Sequence, residues 1–356
     1  MSTKQPTAII CLSHHAGGME IDSIKLAKKL SAHVPITLIA KTNCFIAKSK
    51  DDYTGYNGIE LETVSFRSSM SLSIVLGVRR IVREKGIKNV IFFGASELKS
   101  LYFSFFGLDI NLIVRHGTTK SRQKKDWFHR LIYSNVTTHI SICKHLQKNV
   151  EHIIPFGKQT RSVMIYPSLE LSKIEKIPHD TLTLIHVGRI AKGKGQADAI
   201  QACQILYEKG IDFIFYLVGG FDARYEQPFM ELYDSLPYKE KIILVGFTKN
   251  VADYYAKADI FLFPSHGEGL SNAFLEALSN DLVCLTYNNT SFPELQELGL
   301  YCHICENRNI ESIKNALLES VTSLFDQRSM TTVNRQILEH FFNMGREVKE
   351  YLTLLK

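Results

Sequence analysis

The sequence predicts an α/β protein with two doubly wound domains, each a parallel sheet with helices on both faces. Three observations lead to this prediction. Short apolar or β-branched runs alternate with helix-like segments along most of the chain. At 356 residues, the chain is longer than one hydrophobic core usually extends. A polar, charged segment at 169–180, which contains Pro178, interrupts the alternation near its middle.

The predicted strands place the two domains at residues 1–168 and 181–339, with 169–180 as the linker. The first domain has strand-like runs at 8–12, 36–39, 89–93, 111–115, 138–142 and 163–165. A second series begins at 182 and continues near 213, 241, 259 and 282, and after residue 309 only helix is expected. In sheets of this class, ligands bind at the carboxyl ends of the strands.

Composition is that of a soluble globular protein, with 45% hydrophobic and 22% charged residues. The chain has no apolar run of the roughly 18 residues that a membrane-spanning helix needs, and its start does not read as a secretion signal. Its seven scattered cysteines do not form a disulfide framework, and the lone pair Cys302 and Cys305 is read as structural thiols. A cytoplasmic protein is expected.

Charge is divided unevenly between the two halves. Residues 1–180 contain 26 Lys/Arg and 14 Asp/Glu, a net charge of +12, whereas the remainder contains 16 and 22, a net charge of −6. The basic half is therefore expected to face an anionic partner. Nucleic acid is not favoured, because none of its binding motifs occurs in the chain.

Residues 264–278 read PSHGEGLSNAFLEAL and carry two glutamates, Glu268 and Glu276, eight residues apart. Glu268 lies in a glycine-flanked turn after an apolar strand, and Glu276 lies in an amphipathic helix that begins near Ser271. The first amides of a helix have no internal partner and can hold an anion. The carboxylates can accept hydrogen bonds from sugar hydroxyls, so the pattern suits a sugar nucleotide. The alternative is an ordinary strand–turn–helix with surface glutamates.

Upstream, residues 182–195 read LTLIHVGRIAKGKG, a buried strand followed by Gly188, Arg189 and Lys194. Arg189 offers a planar fork of donors and Lys194 a mobile point charge, and both suit a diphosphate. Two further strands, FIFYLVGG at 213–220 and KIILVGFTKN at 241–250, lie between this segment and the two glutamates.

In chain order, the motifs at 182–195, 213–220, 241–250 and 264–278 resemble those of the family 4 glycosyltransferases, which are retaining enzymes of the GT-B fold. The resemblance implies two Rossmann-like domains facing each other across a cleft, with residues 340–356 as a helix that returns to the first domain. It implies transfer of a sugar from a nucleotide-diphosphate-sugar donor to a glycan or lipid-linked acceptor in cell-surface polysaccharide or lipopolysaccharide synthesis. The expected donor-binding residues are Gly17, Gly18, Gly188, Arg189, Lys194, Gly219, Phe247, Gly267, Glu268, Gly269, Leu270, Ser271 and Glu276.

In the first domain, Gly17 and Gly18 lie at a strand-to-helix junction where the missing Cβ lets the backbone approach a ligand. A plain tight turn is the alternative. His116 follows the strand at 111–115 and is expected in the cleft rather than in the core. By resemblance it faces the donor sugar and completes the expected catalytic set with Glu268, Arg189 and Lys194. A helix-capping or structural histidine is the alternative.

Residues 120–133 read KSRQKKDWFHRLIY and combine cationic with aromatic side chains at helical spacing. This pattern suits an anionic bilayer surface or the acceptor. The alternative is a helix whose Trp127 packs into the core. The residues expected to contact the acceptor or the membrane are Lys120, Arg122, Lys124, Lys125 and Trp127.

No D-x-D motif occurs, so no cofactor and no metal ion are expected, and Arg189 and Lys194 would neutralise the diphosphate. Two rival functions remain. A nucleotide-sugar epimerase shares the architecture but needs further acid/base carboxylates in the cleft. A non-catalytic relative of the enzymes usually lacks one of the cations or glutamates named above.

Overall fold

The computed structural model describes residues 5–14, 17–53, 56–171 and 174–356. They form two compact units. One comprises the described part of Met1–Pro167 together with Met344–Lys356, and the other the described part of Ser168–Asn343. The segment expected as a linker, 169–180, lies in the second unit: Lys176 Nζ donates hydrogen bonds to the carbonyl oxygens of Tyr255 and Ala258 at 3.1 and 3.0 Å.

Within the described residues of the first unit, seven parallel strands form one sheet in the order β3-β2-β1-β4-β5-β6-β7. Each strand predicted in this unit is present. A further strand, β3, has an exposed, charged sequence, ELETV, which lacks the apolar run that marks the others. The strands are β1 Thr7–Cys11, β2 Ile36–Lys41, β3 Glu60–Val64, β4 Asn89–Phe93, β5 Asn111–His116, β6 Val136–Ser141 and β7 Arg161–Met164.

The helices of this unit cover both faces of the sheet and pack on two buried apolar clusters, one on each face. Side-chain caps mark several starts: Ser71 Oγ accepts the N–H of Ser73, and Asp126 Oδ1 accepts the N–H of His129. The helices are α1 Gly18–Ser31, α2 Phe45–Lys48, α3 Leu72–Glu84, α4 Leu98–Phe105, α5 Trp127–Tyr133 and α6 Lys144–Ile153.

The last helix of the chain, α15 Met344–Leu354, belongs to the first unit, as expected for the GT-B fold. Lys29 Nζ donates to Glu347 Oε2 at 2.8 Å, and Asn111 Nδ2 donates to the Leu354 carbonyl at 2.7 Å. Val348 and Tyr351 belong to the apolar cluster that α1 helps to form on one face of the sheet.

In the described part of the second unit, six parallel strands follow the order β10-β9-β8-β11-β12-β13. The strand order reverses between β8 and β11, and the carboxyl ends of these two strands are where such a sheet forms its binding crevice. The strands are β8 Leu182–Val187, β9 Phe213–Val218, β10 Ile242–Gly246, β11 Ile260–Phe263, β12 Val283–Tyr287 and β13 His303–Cys305.

The helices of the second unit pack on its sheet and help to form a large buried apolar cluster. They are α7 Gln196–Ala202, α8 Gln204–Glu208, α9 Glu226–Ser235, α10 Ala252–Lys257, α11 Asn272–Ser279, α12 Phe292–Glu297, α13 Ile310–Thr322 and α14 Leu324–Phe341. All seven cysteines of the chain lie within the described residues and are buried free thiols. Over the described residues, no helix combines the length and the apolar character needed to cross a bilayer.

Candidate active site

The centre of the site is an ion pair between the loop after β8 and the turn after β11. Lys194 Nζ lies 2.7 Å from Glu268 Oε1 and 2.9 Å from Oε2. The lysine side chain is about one third exposed, and the glutamate side chain is mostly buried. Ser265 Oγ donates a third hydrogen bond to Glu268 Oε1 at 3.2 Å, so the carboxylate is held in one orientation.

The close approach of the two loops depends on Gly195, which follows Lys194. Its φ is +85°, and a Cβ on it would overlap with the carbonyl group of Pro264. Gly219, after β9, has a φ of +150°, and a Cβ there would overlap with the carbonyl group of Gly188. Glycine at these two positions therefore lets the loops after β8, β9 and β11 pack together.

The side chains of Arg189 and Phe247 are strongly exposed. The Arg189 side chain is 66% exposed and pairs with Asp222, with Nη1 3.7 Å from Oδ2. The backbone N–H of Arg224 is the main cause that lowers the pKa of the Asp222 carboxyl below its usual value. Phe247 follows β10, is 80% exposed, and lies beside Gly220.

The turn 264–270 leads into α11, whose N-cap is Ser271, as predicted: Ser271 Oγ accepts the N–H of Phe274. Glu268 N donates to Thr290 Oγ1 at 3.1 Å, while Gly267 N donates to Ser265 Oγ at 3.5 Å. Gly269 and Leu270 complete the turn and are half-buried.

Glu276 lies half-buried on α11. Burial is the main cause that raises the pKa of Tyr255 well above its usual value, and the Glu276 carboxylate adds to the effect. Of the four groups expected to converge on one ligand, Lys194 and Glu268 are in direct contact. Arg189 shares the loop of Lys194, and Glu276 lies on the helix that follows the Glu268 turn.

In the first unit, Gly17 is the N-cap of α1, at the end of the connection that follows β1, and Gly18 is the first residue of α1. Strand order in this sheet reverses between β1 and β4, so both glycines lie at the corresponding point of the first sheet.

His116 was expected in a cleft, and that expectation about its exposure is wrong. It is the last residue of β5, its side chain is 1% exposed, and its Nε2 lies 2.8 Å from His139 Nδ1. Burial holds its pKa well below the usual value, with Lys120 adding to the shift. Strand β5 extends one residue further than predicted, and the buried His116 ring packs against the ring of His139. Its role beside a donor sugar stays a prediction.

The basic segment also differs from the prediction. Helix α5 begins only at Trp127, so the cationic residues up to Lys125 lie on a loop rather than at helical spacing. Two hydrogen bonds hold this loop against α6: Lys120 N donates to Asn149 Oδ1, and Asn149 Nδ2 donates to the Lys120 carbonyl. Trp127 is 77% exposed, so the alternative that it packs into the core is wrong.

Known proteins resemble part of the chain in sequence and almost all of it in fold. Residues 168–332 match the family described as "Glycosyl transferases group 1". The capsular polysaccharide biosynthesis glycosyltransferase CapM of Staphylococcus aureus is 23% identical over 206 residues, 57% of this chain and 50% of its own length. A Campylobacter jejuni enzyme, N-acetylgalactosamine-N,N'-diacetylbacillosaminyl-diphospho-undecaprenol 4-alpha-N-acetylgalactosaminyltransferase, is 26% identical over 264 residues, 68% of this chain and 71% of its own length.

Two solved structures superimpose over almost the whole chain. A glycosyltransferase from Rickettsia africae has a TM-score of 0.85 at 14% identity and covers 99% of this chain and 97% of its own. Anabaena HepE in complex with UDP has a TM-score of 0.83 at 13% identity and covers 98% of each chain. The chain has the fold of the GT-B glycosyltransferases. By sequence, it spans half or less of the length of the first three curated relatives it matches.

Within this GT-B fold, the site contains residues that sequence reasoning missed. Asp198 Oδ2 accepts hydrogen bonds from His266 and Tyr287, and Thr290 binds the amide of Glu268. His186 lies beneath the Lys194 loop with its Nε2 3.1 Å from the Lys194 carbonyl. The only signal in the sequence was the position of His266 inside the motif that carries Glu268.

Proposed function

We propose that the protein is a retaining glycosyltransferase that moves a sugar from a nucleoside diphosphate sugar to a hydroxyl group of a glycan or lipid-linked acceptor. The observation that carries the proposal is the Lys194–Glu268 pair at the reversal point of the second sheet. The family match over residues 168–332 and the structural likeness to HepE in complex with UDP support it.

Lys194 and Arg189 would stabilise the leaving group. When the bond between the sugar and the diphosphate breaks, its electron pair passes to the phosphate oxygen and negative charge grows there. Preorganised cations aimed at such charge contribute most in the transition state. Lys194 Nζ is held 2.7 Å from Glu268, and the exposed Arg189 side chain is free to turn from Asp222 toward the diphosphate.

The remaining groups would bind the donor. Glu268 has carboxylate oxygens to accept hydrogen bonds from hydroxyls of the transferred sugar, and Glu276 would do the same for the ribose. Phe247 offers an exposed aromatic face beside Gly220, suited to stacking on the base. The start of α11, where the first amides lack partners within the helix, suits the phosphate charge.

Retention of anomeric configuration would follow from attack on the face that the leaving group vacates. The acceptor oxygen forms the new bond to the anomeric carbon on that face, and its proton passes to the departing phosphate oxygen. This route needs no enzyme nucleophile. It also needs no metal ion if the two cations neutralise the diphosphate, so activity is expected without one.

Release of free nucleotide from a panel of UDP-, GDP- and ADP-sugars, with and without candidate acceptors, tests the proposal. A glycosyltransferase releases nucleotide much faster with its acceptor and forms a product of the same anomeric configuration as the donor. An epimerase instead converts the donor sugar without stoichiometric nucleotide release. Absence of both reactions across the panel, with no nucleotide binding, would favour a non-catalytic protein.

We further propose that the first unit places the enzyme on the cytoplasmic face of an anionic membrane, where a lipid-linked acceptor would lie. Residues 65–131 contain 13 Lys/Arg but only four Asp/Glu. Helices α3, α4 and α5 and the residues next to their ends also present large apolar side chains to solvent. These side chains are Met70, Leu72, Leu76, Phe103, Phe106, Trp127 and Leu131.

Helices α3 and α4, which carry or adjoin most of these residues, pack against each other on one face of the sheet. Arg79 Nη1 donates to the carbonyl oxygens of Ser104 and Phe106 at 2.9 and 2.8 Å, and Ser71 N donates to Ser100 Oγ at 3.1 Å. Helix α5 packs against α4 on the same side of the sheet. Apolar side chains ringed by cations suit a bilayer that contains anionic lipids, where each cation adds about 1 kcal/mol.

Sedimentation with vesicles of phosphatidylglycerol and phosphatidylcholine tests this surface. We expect binding in low salt that is lost when Lys124 and Lys125 are both replaced by Ala, and weakened by Leu72→Ser with Leu76→Ser. Met330→Ser, an exposed apolar residue on α14 of the second unit, is the matched control. No binding of the wild-type protein would indicate a soluble acceptor and leave the sugar-transfer proposal intact.

A further inference from the structure

In the second unit, three side chains from separate parts of the chain form a cluster around one carboxylate oxygen. His266 Nε2 and the Tyr287 hydroxyl both lie 2.9 Å from Asp198 Oδ2. Asp198 lies in the first turn of α7, His266 in the turn after β11, and Tyr287 at the end of β12. The Asp198 side chain is mostly buried and Tyr287 fully so. A largely buried carboxylate is stable only when hydrogen-bond donors face it, and His266 and Tyr287 supply them.

The cluster joins the two loops that carry the central ion pair. His266 is two residues from Glu268, and its backbone N–H donates to the Gly193 carbonyl at 2.9 Å, directly before Lys194. The histidine is therefore bound to the Lys194 loop through its backbone and to α7 through its ring. Burial, followed by the hydrogen bond to Asp198, raises the pKa of Tyr287 far above its usual value, so its hydroxyl stays protonated and donates.

The loop after β12 holds the opposite side of the same turn. Thr290 Oγ1 accepts the N–H of Glu268, and Asn289 Nδ2 donates to the Ser265 carbonyl at 2.9 Å. Thr290 has a φ of +48°, which a β-branched residue adopts only when its surroundings enforce it. The Glu268 turn is thus fixed on both sides, by Asp198 on one and by residues 289–290 on the other.

We propose that Asp198 is a positioning residue that, through His266 and Tyr287, fixes the Glu268 turn against the Lys194 loop and so presets the geometry of the ion pair for the donor. The kinetic consequence of this inference rests on the proposed function, whereas its structural consequence rests on the contacts alone. Asp198 need not touch the donor. Its effect would act through the orientation of Glu268 and Lys194.

The kinetic consequence is a fall in kcat with little change in KM. Misplacement of a catalytic group by about 1 Å can cost on the order of 10²-fold in rate. We therefore expect Asp198→Asn to lower kcat by about 10- to 100-fold and to change the donor KM by less than about threefold. Tyr287→Phe removes a single hydroxyl and should have a smaller effect in the same direction. Asp253→Asn, also in the first turn of a helix, is the matched control.

A double-mutant cycle separates positioning from a general loss of stability. If Asp198 acts through the ion pair, Asp198→Asn should lower kcat much less in a Lys194→Ala background than in the wild type. If it merely stabilises the fold, the two losses multiply. Multiplicative losses would overturn the proposal, and so would wild-type kcat in both Asp198→Asn and Tyr287→Phe.

Amide hydrogen exchange gives a readout that does not depend on activity. In Asp198→Asn, the amides of residues 265–270 should exchange at least about tenfold faster, while those of β8 and β11 should not change. Tyr287→Phe provides the same test if Asp198→Asn fails to fold. Unchanged exchange in a folded variant would overturn the positioning role. If the wild-type protein transfers no sugar but Asp198→Asn shows the expected faster exchange, only the proposed function is overturned.

Discussion

Lys194 and Glu268 are 74 residues apart in the chain, yet Lys194 Nζ lies 2.7 and 2.9 Å from the two carboxylate oxygens of Glu268. The contact follows from topology. Strand β8 pairs with β11 in parallel, so the residues that follow the two strands reach the same edge of the sheet. Gly195 then allows the two loops to touch. The ion pair is thus built by the order of the strands and one glycine.

Removal of either cation should lower turnover without unfolding the protein. We expect Lys194→Ala and Arg189→Ala each to reduce kcat by roughly 10²-fold, because each removes a positive charge that would stabilise the leaving diphosphate. Lys192→Ala is the control, since Lys192 is exposed on the same loop. Nucleotide release at saturating donor and acceptor measures the effect. A near-wild-type rate would exclude that side chain from the mechanism.

Replacement of Glu276 should weaken donor binding more than it slows the reaction. The side chain is half-buried on α11 and is proposed to bind ribose hydroxyls. A ligand that binds only the native state raises the melting temperature by mass action. We expect the shift produced by the nucleotide to shrink strongly in Glu276→Ala and to persist in Glu231→Ala, a change on the surface of α9. Equal shifts in both variants would contradict the role of Glu276.

Two glycines in the Lys194 loop allow conformational strain to be separated from crowding. Gly193 and Gly195 both have a φ of +85°, but a Cβ on Gly193 meets nothing within 4 Å, whereas one on Gly195 overlaps with the Pro264 carbonyl. Gly193→Ala should therefore cost only the left-handed strain, about 1–2 kcal/mol.

Gly195→Ala should destabilise the second unit by clearly more, because the Lys194 loop must also move away from Pro264. Urea unfolding followed by circular dichroism measures the difference. Equal midpoints for the two variants would show that the loops are not packed as closely as described.

Much of this architecture could be predicted from the sequence, because buried parallel strands are near-continuous apolar runs. Strand β3 was missed because its sequence, ELETV, is charged and largely accessible at the sheet edge. The proximity of Lys194 and Glu268 could be predicted because each lies in a loop that follows a buried strand, and the two strands end at the same edge of the sheet.

Contacts between distant side chains could not be predicted in the same way. The convergence of Asp198, His266 and Tyr287 depends on helix α7 and two strand ends in three dimensions, and no local pattern marks it. His116 failed for a related reason. Strand β5 continues through His116, and helices cover both faces of this sheet, so a side chain at the end of the strand is buried on either face.

Activity should not depend on a divalent metal ion. We propose that Lys194 and Arg189 supply the positive charge that a metal would otherwise bring to the diphosphate. Turnover measured in EDTA should equal that in Mg²⁺ or Mn²⁺ to within about twofold. Complete loss in EDTA, restored by Mn²⁺, would contradict the prediction and require carboxylate ligands for the metal. The same assay on Lys194→Ala is informative, because a metal effect that appears only in the variant would indicate substitution of one cation by another.

The stability of the second unit should fall as the pH falls below about 6.5, with His186 as one cause. Burial lowers the pKa of this histidine to about 4, and its Nε2–H donates to the Lys194 carbonyl. In the unfolded chain its pKa returns to about 6.5. Between these two values the unfolded state binds a proton that the folded state does not, so protonation favours unfolding. The loss reaches about 1.4 kcal/mol per pH unit and about 3 kcal/mol by pH 4.

His186→Gln removes this titration but keeps a donor for the Lys194 carbonyl. Whatever its stability at neutral pH, its melting temperature should decline less steeply than that of the wild type between pH 6.5 and 4, as measured by scanning calorimetry. His33→Gln, at an exposed position in the first unit, is the control and should leave the slope for the second unit unchanged. Parallel slopes for wild type and His186→Gln would mean that another group carries the acid sensitivity.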